Sequence, residues 1–214
     1  DMGVAQPHDT QLNVFGDFDP KVPSQSTSPK VLFCANLVPI LQSKVLEQAT
    51  GTRLSMLDSM NLWIEIAKED LLSVMKRVDL IIINDGEVRM LAEDDNLIRA
   101  SRTLIEMVGC QTLIIKKGEH GVVAFHDGEI ISLPAYPTEN IVDPTGCGDS
   151  FAGTIAAFLA SNDGKLTRNE LREALVRATV TASFTLESFG TSGLLALDNE
   201  MFSSRLNEFE AMLT

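Results

Sequence analysis

Apolar positions along the chain fall into two patterns: short solid runs, and longer stretches in which they recur every three or four residues. Val31 to Ala35, Leu54 to Leu57, Asp79-Leu80-Ile81-Ile82-Ile83-Asn84 and Thr112 to Lys116 are runs of the first kind. Their length suits strands covered on both faces, and residues 79–84 are the clearest case. Between them the period is helical: from Asn36–Pro39 through Ile40, Val45 and Leu46 to just before Gly51, then Leu62 to Val78 on Leu62, Ile66, Leu71 and Met75. A short helix over Glu87 to Leu91 and a longer one over Leu97 to Val108 follow. Gly121 to His126 and Glu129 to Leu133 flank Asp127-Gly128, a turn dipeptide that predicts a hairpin. Helices are predicted over Ser150 to Ser161, over Thr167 to Leu186 behind a Thr-x-x-Glu capping box at Thr167 and Glu170, and from Asp198 to Met212. Residues 9–19 alternate at Leu12 and Val14, less regularly at Phe15 and Phe18, and predict a half-exposed strand. Pro20, Pro23 and Pro29, with the serines between them, then make a loop.

Strands alternating with helices predict an α/β fold: three layers, a mainly parallel sheet with helices on both faces, and one domain over residues 1–214. The strand at 9–19 would belong to a small appended β sheet. Ligands of such folds sit beyond the carboxyl ends of the strands, so chemistry is expected directly after them.

Composition narrows the partners. The 214 residues carry 44% hydrophobic and 22% charged side chains, ordinary for a globular protein. A formal charge of −13 argues against nucleic acid or an anionic membrane as partner, since either needs a basic surface. No apolar run approaches the roughly 20 residues of a membrane span. Residues 1–9 are polar without a basic start, so no secretory signal is expected there. Cys34, Cys110 and Cys147 are odd in number and far apart, without metal-ligand spacing, which fits reduced thiols in a cytoplasm.

Four stretches carry candidate chemistry. In Asp143-Pro144-Thr145-Gly146-Cys147-Gly148-Asp149-Ser150, two glycines precede a predicted helix. Glycine lets successive backbone N–H groups point one way, and a helix start adds unpaired N–H groups and its positive dipole end. That combination binds an anion such as phosphate. Asp149 is then either a first-turn acid that stabilises the helix or the carboxylate that takes a proton from an attacking hydroxyl. Asn84-Asp85-Gly86-Glu87, after the 79–84 run, reads either as a helix cap or as hard oxygen donors for Mg²⁺ on nucleotide phosphates. Lys116-Lys117-Gly118-Glu119-His120-Gly121 reads either as a turn into the hairpin or as a loop approached by a ligand, with His120 as an exposed loop side chain. Asp58-Ser59-Met60-Asn61-Leu62-Trp63 reads, on its residues alone, as a strand end plus helix cap with Trp63 as packing. Neither a Walker P-loop nor the Gly-x-Gly-x-x-Gly dinucleotide fingerprint occurs.

Residues 143–149 resemble the D-T-x-G-A-G-D signature of the ribokinase-like (PfkB) carbohydrate and nucleoside kinases. Pro144 and Cys147 depart from it but remove neither glycine nor carboxylate. Asn84-x-x-Glu87 is similar to the family's second motif, and Lys116-x-Gly118-x-x-Gly121 to the loop that lies along its nucleotide. Asp58 to Asn61 resembles an Asp-x-Asn element of some members, with one residue more between the two. The resemblance covers nearly all of residues 9–212 and is strongest from Asp79 to Thr154.

The resemblance implies an ATP-dependent phosphotransferase that moves the γ-phosphoryl group to a hydroxyl of a sugar or sugar-like small molecule. Asp149 would be the general base, with Gly146, Cys147 and Gly148 supplying the backbone anion hole. Thr145, Gly146 and Gly148, with Asn84, Glu87, Lys116, Gly118 and Gly121, would hold ATP. Asn84 and Glu87 would organise Mg²⁺. Asp143 would help bind a monovalent cation such as K⁺, completed by residues 183–192 with Gly190. Strand 9–19 would be a remnant of the β lid over the sugar, and pairing of lid strands would give a homodimer. The chain looks like a family member lacking its amino-terminal third, where the family keeps much of its substrate selection. The alternative is a truncated, non-catalytic nucleotide-binding or interaction module.

Overall fold

The computed structural model describes residue 11 and residues 13–214. Its six strands form one sheet in sequential order: β1 (Val31–Cys34), β2 (Leu54–Asp58), β3 (Leu80–Asn84), β4 (Thr112–Lys116), β5 (Val122–His126) and β6 (Glu129–Leu133). β1 to β4 are parallel, and the β5–β6 hairpin continues the sheet antiparallel. The helices are α1 (Pro39–Gln48), α2 (Asn61–Ile66), α3 (Lys68–Met75), α4 (Asp85–Ala92), α5 (Leu97–Val108), α6 (Cys147–Ala160), α7 (Arg168–Leu186), α8 (Ser192–Ala196) and α9 (Asn199–Met212).

The solid apolar runs are solid because both faces of the sheet are covered. Leu80 and Ile82 of β3 pack into a core with Phe151, Ile155, Leu171, Leu175 and Phe209 of α6, α7 and α9. Ile81 and Ile83, alternating with them, pack on the other side with Trp63, Leu71, Met75, Val88 and Leu104 of α2 to α5. These four β3 side chains are fully buried. The result is the expected three-layer αβα arrangement. β1, at the edge, is only half-buried over its first three residues.

The sequence expectations differ from the structure at four places. Leu62 to Val78 is not one helix but two, because Ala67 (φ −148°, ψ 36°) leaves the helical region. Its N–H closes α2 on Trp63 O, and its carbonyl opens α3 by accepting from Leu71. The bend lets Trp63 and Ile64 share a core with Leu71, Val74 and Met75 while Ile66 is left exposed. α6 begins at Cys147, three residues before Ser150. α8 has no counterpart in the sequence reading. Finally, the lid strand at 9–19 is not formed where it can be described: Asn13–Phe15 is a single 3-10 turn with Asn13 left-handed (φ 47°), and residues 9, 10 and 12 lie outside the described residues. Local bonds from Gly16 N–H to Asn13 O and from Phe18 N–H to Phe15 O replace a strand ladder. The homodimer expectation rested on that strand.

Candidate active site

Three parallel strands end on chemistry-bearing side chains. β2 ends at Asp58, β3 at Asn84 and β4 at Lys116. The register sets Asn84 directly opposite Lys116 and Asp58 opposite Ile82, so the three termini lie side by side. The start of α6 meets them there.

Asn84 caps α4 reciprocally with Glu87. Glu87 N–H donates to Asn84 Oδ1 and Asn84 N–H to Glu87 Oε2, both at 2.8 Å. The cap alone would explain both residues, but Glu87 is also buried, only 4% exposed. Burial pushes its carboxyl pKa up to about 7; the Asn84 N–H and the Lys116 ammonium oppose this, while the charges of Asp58 and Asp85 add to it.

Lys116 Nζ donates to both oxygens of Asp58, at 3.0 and 3.2 Å. Asp58 is 5% exposed and also accepts from the Ser59 N–H at 2.8 Å. Its carboxyl is raised, first by burial; Lys116 and the Ser59 N–H hold it down, and the nearby charge of Asp149 pushes it further up. Lys116 also lies against the anion loop, where a Cβ on Gly148 would stand 3.3 Å from Nζ.

The loop differs from expectation at one residue. Gly146, at φ 85°, is the left-handed residue before α6, a conformation that strains any other side chain. Cys147 N–H donates to Pro144 O and closes the turn, so it does not face an anion, and the Cys147 thiol is turned towards Ala182 O. That removes Cys147 from the expected hole. The N–H groups of Gly148 and Asp149, in the first turn of α6, have no acceptor among the described residues. Burial raises the Cys147 thiol to about 11, so it is no nucleophile near neutral pH.

Other predicted residues sit apart. Asp143 Oδ1 accepts from Thr145 N–H at 2.9 Å, and this holds its carboxyl below the usual range. The N–H groups of Val142 and Asp143 both donate to Leu186 O, at 3.0 and 3.2 Å, so this loop hangs from the end of α7, the segment expected beside Asp143. Gly118 and Gly121 lie in a self-bonded turn after Lys116. Gly121 is fixed by the hairpin: at φ 80°, a Cβ would come within 2.1 Å of Leu133 O. His120 is an exposed loop side chain, as expected. Trp63 Nε1–H donates to Asn36 Oδ1 at 2.8 Å from the core, and Asn61 merely begins α2. Of the 58–63 stretch, only Asp58 joins the site. Two cavities among the described residues, about 350 and 330 Å³, lie elsewhere, around His126 and Asp127.

The donor set fits a phosphate-bound Mg²⁺. Asn84 and the Asp58 and Glu87 carboxylates offer oxygen donors at the strand ends, both carboxylates feel the Lys116 ammonium, and the charge of Asp149 reaches Asp58. Among the described residues no three His, Cys, Asp or Glu side chains are grouped to chelate a metal directly. Mg²⁺ commonly keeps its waters and uses one or two carboxylates plus phosphate oxygens, which is what such a set offers. Among the described residues, no helix is long and apolar enough to cross a membrane.

Comparison with known proteins agrees with the fold. Residues 40–196 match the pfkB family of carbohydrate kinases. The chain is 32% identical over 184 residues to the cytidine kinase of Thermococcus kodakarensis, covering 83% of this chain and 61% of that protein. It superposes on the aminoimidazole riboside kinase of Salmonella enterica, solved with aminoimidazole riboside and an ATP analogue, with a TM-score of 0.69 at 19% identity, covering 84% of this chain and 65% of that one. On the fructokinase of Vibrio cholerae O395 in its fructose, ADP and calcium ion bound form, the TM-score is 0.71 at 15% identity, covering 92% and 64%. The chain therefore spans about three fifths of the length of these relatives.

Proposed function

The chain belongs to the pfkB family of carbohydrate kinases, and on that premise we propose that the protein transfers the γ-phosphoryl group of ATP to a hydroxyl of a sugar or nucleoside. The observation that carries the reading is the start of α6. There the unpaired N–H groups of Gly148 and Asp149, the Asp149 carboxylate and the Lys116 ammonium meet at the ends of β2 to β4.

In this reading the Asp149 carboxylate takes the proton of the acceptor hydroxyl as its oxygen attacks phosphorus; such general-base catalysis contributes about 10²–10⁴ in rate. The Gly148 and Asp149 N–H groups hold the transferring phosphoryl oxygens, and preorganised donors of this kind are worth roughly 3–4 kcal/mol each. Lys116 balances charge on the same oxygens. Asn84 and Glu87 would hold Mg²⁺ on the nucleotide side. When bound, Mg²⁺ neutralises charge that develops on the bridging phosphate oxygens. Thr145 and Gly146 shape the turn that presents α6, and Gly118 and Gly121 set the loop along the nucleotide. Asp143, beside the carbonyl end of α7, is the place for a monovalent cation such as K⁺.

The test is ADP release by the full-length protein from MgATP, with cytidine, fructose and ribose among the acceptors. Acceptor-dependent release is expected, lost on chelation of Mg²⁺ and reduced about 10²–10⁴-fold in Asp149→Asn with MgATP binding retained. Near-normal turnover by Asp149→Asn would remove the general base. ATP binding without turnover on a broad acceptor panel would favour a non-catalytic nucleotide-binding module.

A further inference from the structure

Asp58 is not explained by the roles above. It is almost fully buried, and a lone buried carboxylate is strongly unfavourable. It neither caps a helix nor joins a metal-chelating group. Its partners are Ser59 N–H and the two-oxygen contact with Lys116 Nζ. Lys116, by contrast, is partly exposed (22% for its side chain); it pairs with Asp58 and acts on Glu87, while the charge of Asp149 is felt at Asp58. A flexible four-carbon side chain in that position has a choice of partner.

We propose that Asp58 is a positioning residue: its carboxylate holds Lys116 Nζ against the Gly148 turn, where the ammonium meets the transferring phosphoryl group and is kept from pairing with Asp149. The proposal rests on the phosphotransfer reading. It has three physical parts. The two-oxygen contact fixes Nζ at the mouth of α6, and Gly148 has no side chain to displace it. Asp58 satisfies the ammonium, so the base at Asp149 stays free to take a proton. Lys116 in turn neutralises a buried charge that would otherwise repel incoming phosphates. Asp58 and Lys116 thus act as one unit, and the effects of replacing them are not additive.

The experiment is a double-substitution cycle in the full-length protein, read by calorimetric titration with MgATP and by ADP release. Lys116→Met leaves Asp58 facing the phosphates unneutralised, and MgATP affinity is expected to fall at least ten-fold. Adding Asp58→Asn is expected to restore at least three-fold of that loss, a rescue that a purely structural role would not produce. Asp58→Asn alone is expected to keep MgATP affinity within three-fold of the unsubstituted protein or better it. Its kcat is expected to drop at least ten-fold, because Lys116 then turns to Asp149. Absence of rescue in the double variant, or Asp58→Asn with kcat within three-fold of normal, overturns the proposal. Should Asp58→Asn fail to fold alone, the double variant against Lys116→Met decides the matter, since both lack Lys116 and they differ only at Asp58. Turnover failing on every acceptor tested, with MgATP still bound, would sink the kinase reading while leaving the rescue measurable. A protein that does not bind MgATP removes both.

Discussion

Asn84–Glu87 and Thr167–Glu170 close the same reciprocal cap, the first on α4 and the second on α7. The sequence signals are equivalent, and both caps close by the same pair of backbone N–H bonds. The surroundings are opposite. Glu170 is only partly covered, and its contacts with the Thr167 hydroxyl and N–H hold its carboxyl below the usual range. Glu87 is buried among Asn84, Lys116, Asp58 and Asp85, and its carboxyl rises to about 7. An acid at the third position of a helix is thus ordinary as a cap; what marks one of these two as part of a site is the desolvation of its charge at the end of a parallel strand.

The difference can be tested by treating both caps alike. In Glu87→Gln the amide oxygen still accepts from Asn84 N–H, and the buried charge is gone. The Glu87 carboxyl holds its proton more tightly folded, near 7, than unfolded, near 4.5. Its contribution to stability is therefore fully present below about pH 4.5 and is lost as pH rises through 7. A shift of this size corresponds to roughly 3 kcal/mol. Urea denaturation is expected to show Glu87→Gln more stable than the unsubstituted protein by about that order at pH 8, with no difference of this kind at pH 4.5. Equal stability at pH 8 would mean that the charge is not desolvated.

Function should separate the caps next. Turnover is expected to fall roughly 10–100-fold in Glu87→Gln, the usual cost of disturbing a group that supports a metal site. Glu170→Gln should leave it within two-fold. Equal losses would make Glu87 a helix cap and nothing more. Thr167→Ala removes an exposed cap, and its cost by thermal unfolding should be about 1 kcal/mol at any pH above 5. The smallest effect is Glu170→Gln. Because its carboxyl is lowered, the stability it adds is present above its unfolded pKa and lost as pH falls through the folded one, the reverse of Glu87. A slope of the same sign at the two positions would erase the contrast.

Local features could be read from the chain with little loss. The Thr-x-x-Glu box at Thr167, the Asp127-Gly128 hairpin and the apolar run at 79–84 are each decided within a few residues, and all formed as predicted. The Lys116–Asp58 pair could not be read that way. The two residues are 58 positions apart, and their meeting depends on β2, β3 and β4 being neighbours in parallel register. Only the shared position at strand ends hinted at it. The break at Ala67 was hidden for a related reason: Ile66 fits a helical period on paper, but two separate helices bury more of their neighbours against α4 and α5. Cys147 shows a finer limit. Its glycine-flanked position marks an anion loop, whereas which N–H groups remain free depends on the turn closed by Pro144 O.

The Leu186 carbonyl, from which the loop before α6 hangs by two N–H groups, makes the length of α7 a dimension of the site. An α-helix advances about 1.5 Å and turns roughly 100° per residue. One residue added within the nineteen of α7 would swing that carbonyl to another side of the helix and pull the tether with it. α6 lies against α7 and has to keep its own seat on β1, so the start of α6 and the end of α7 would fall out of step. The helix thus works as a spacing gauge: it sets how far the phosphate cradle stands from the strand ends that serve it.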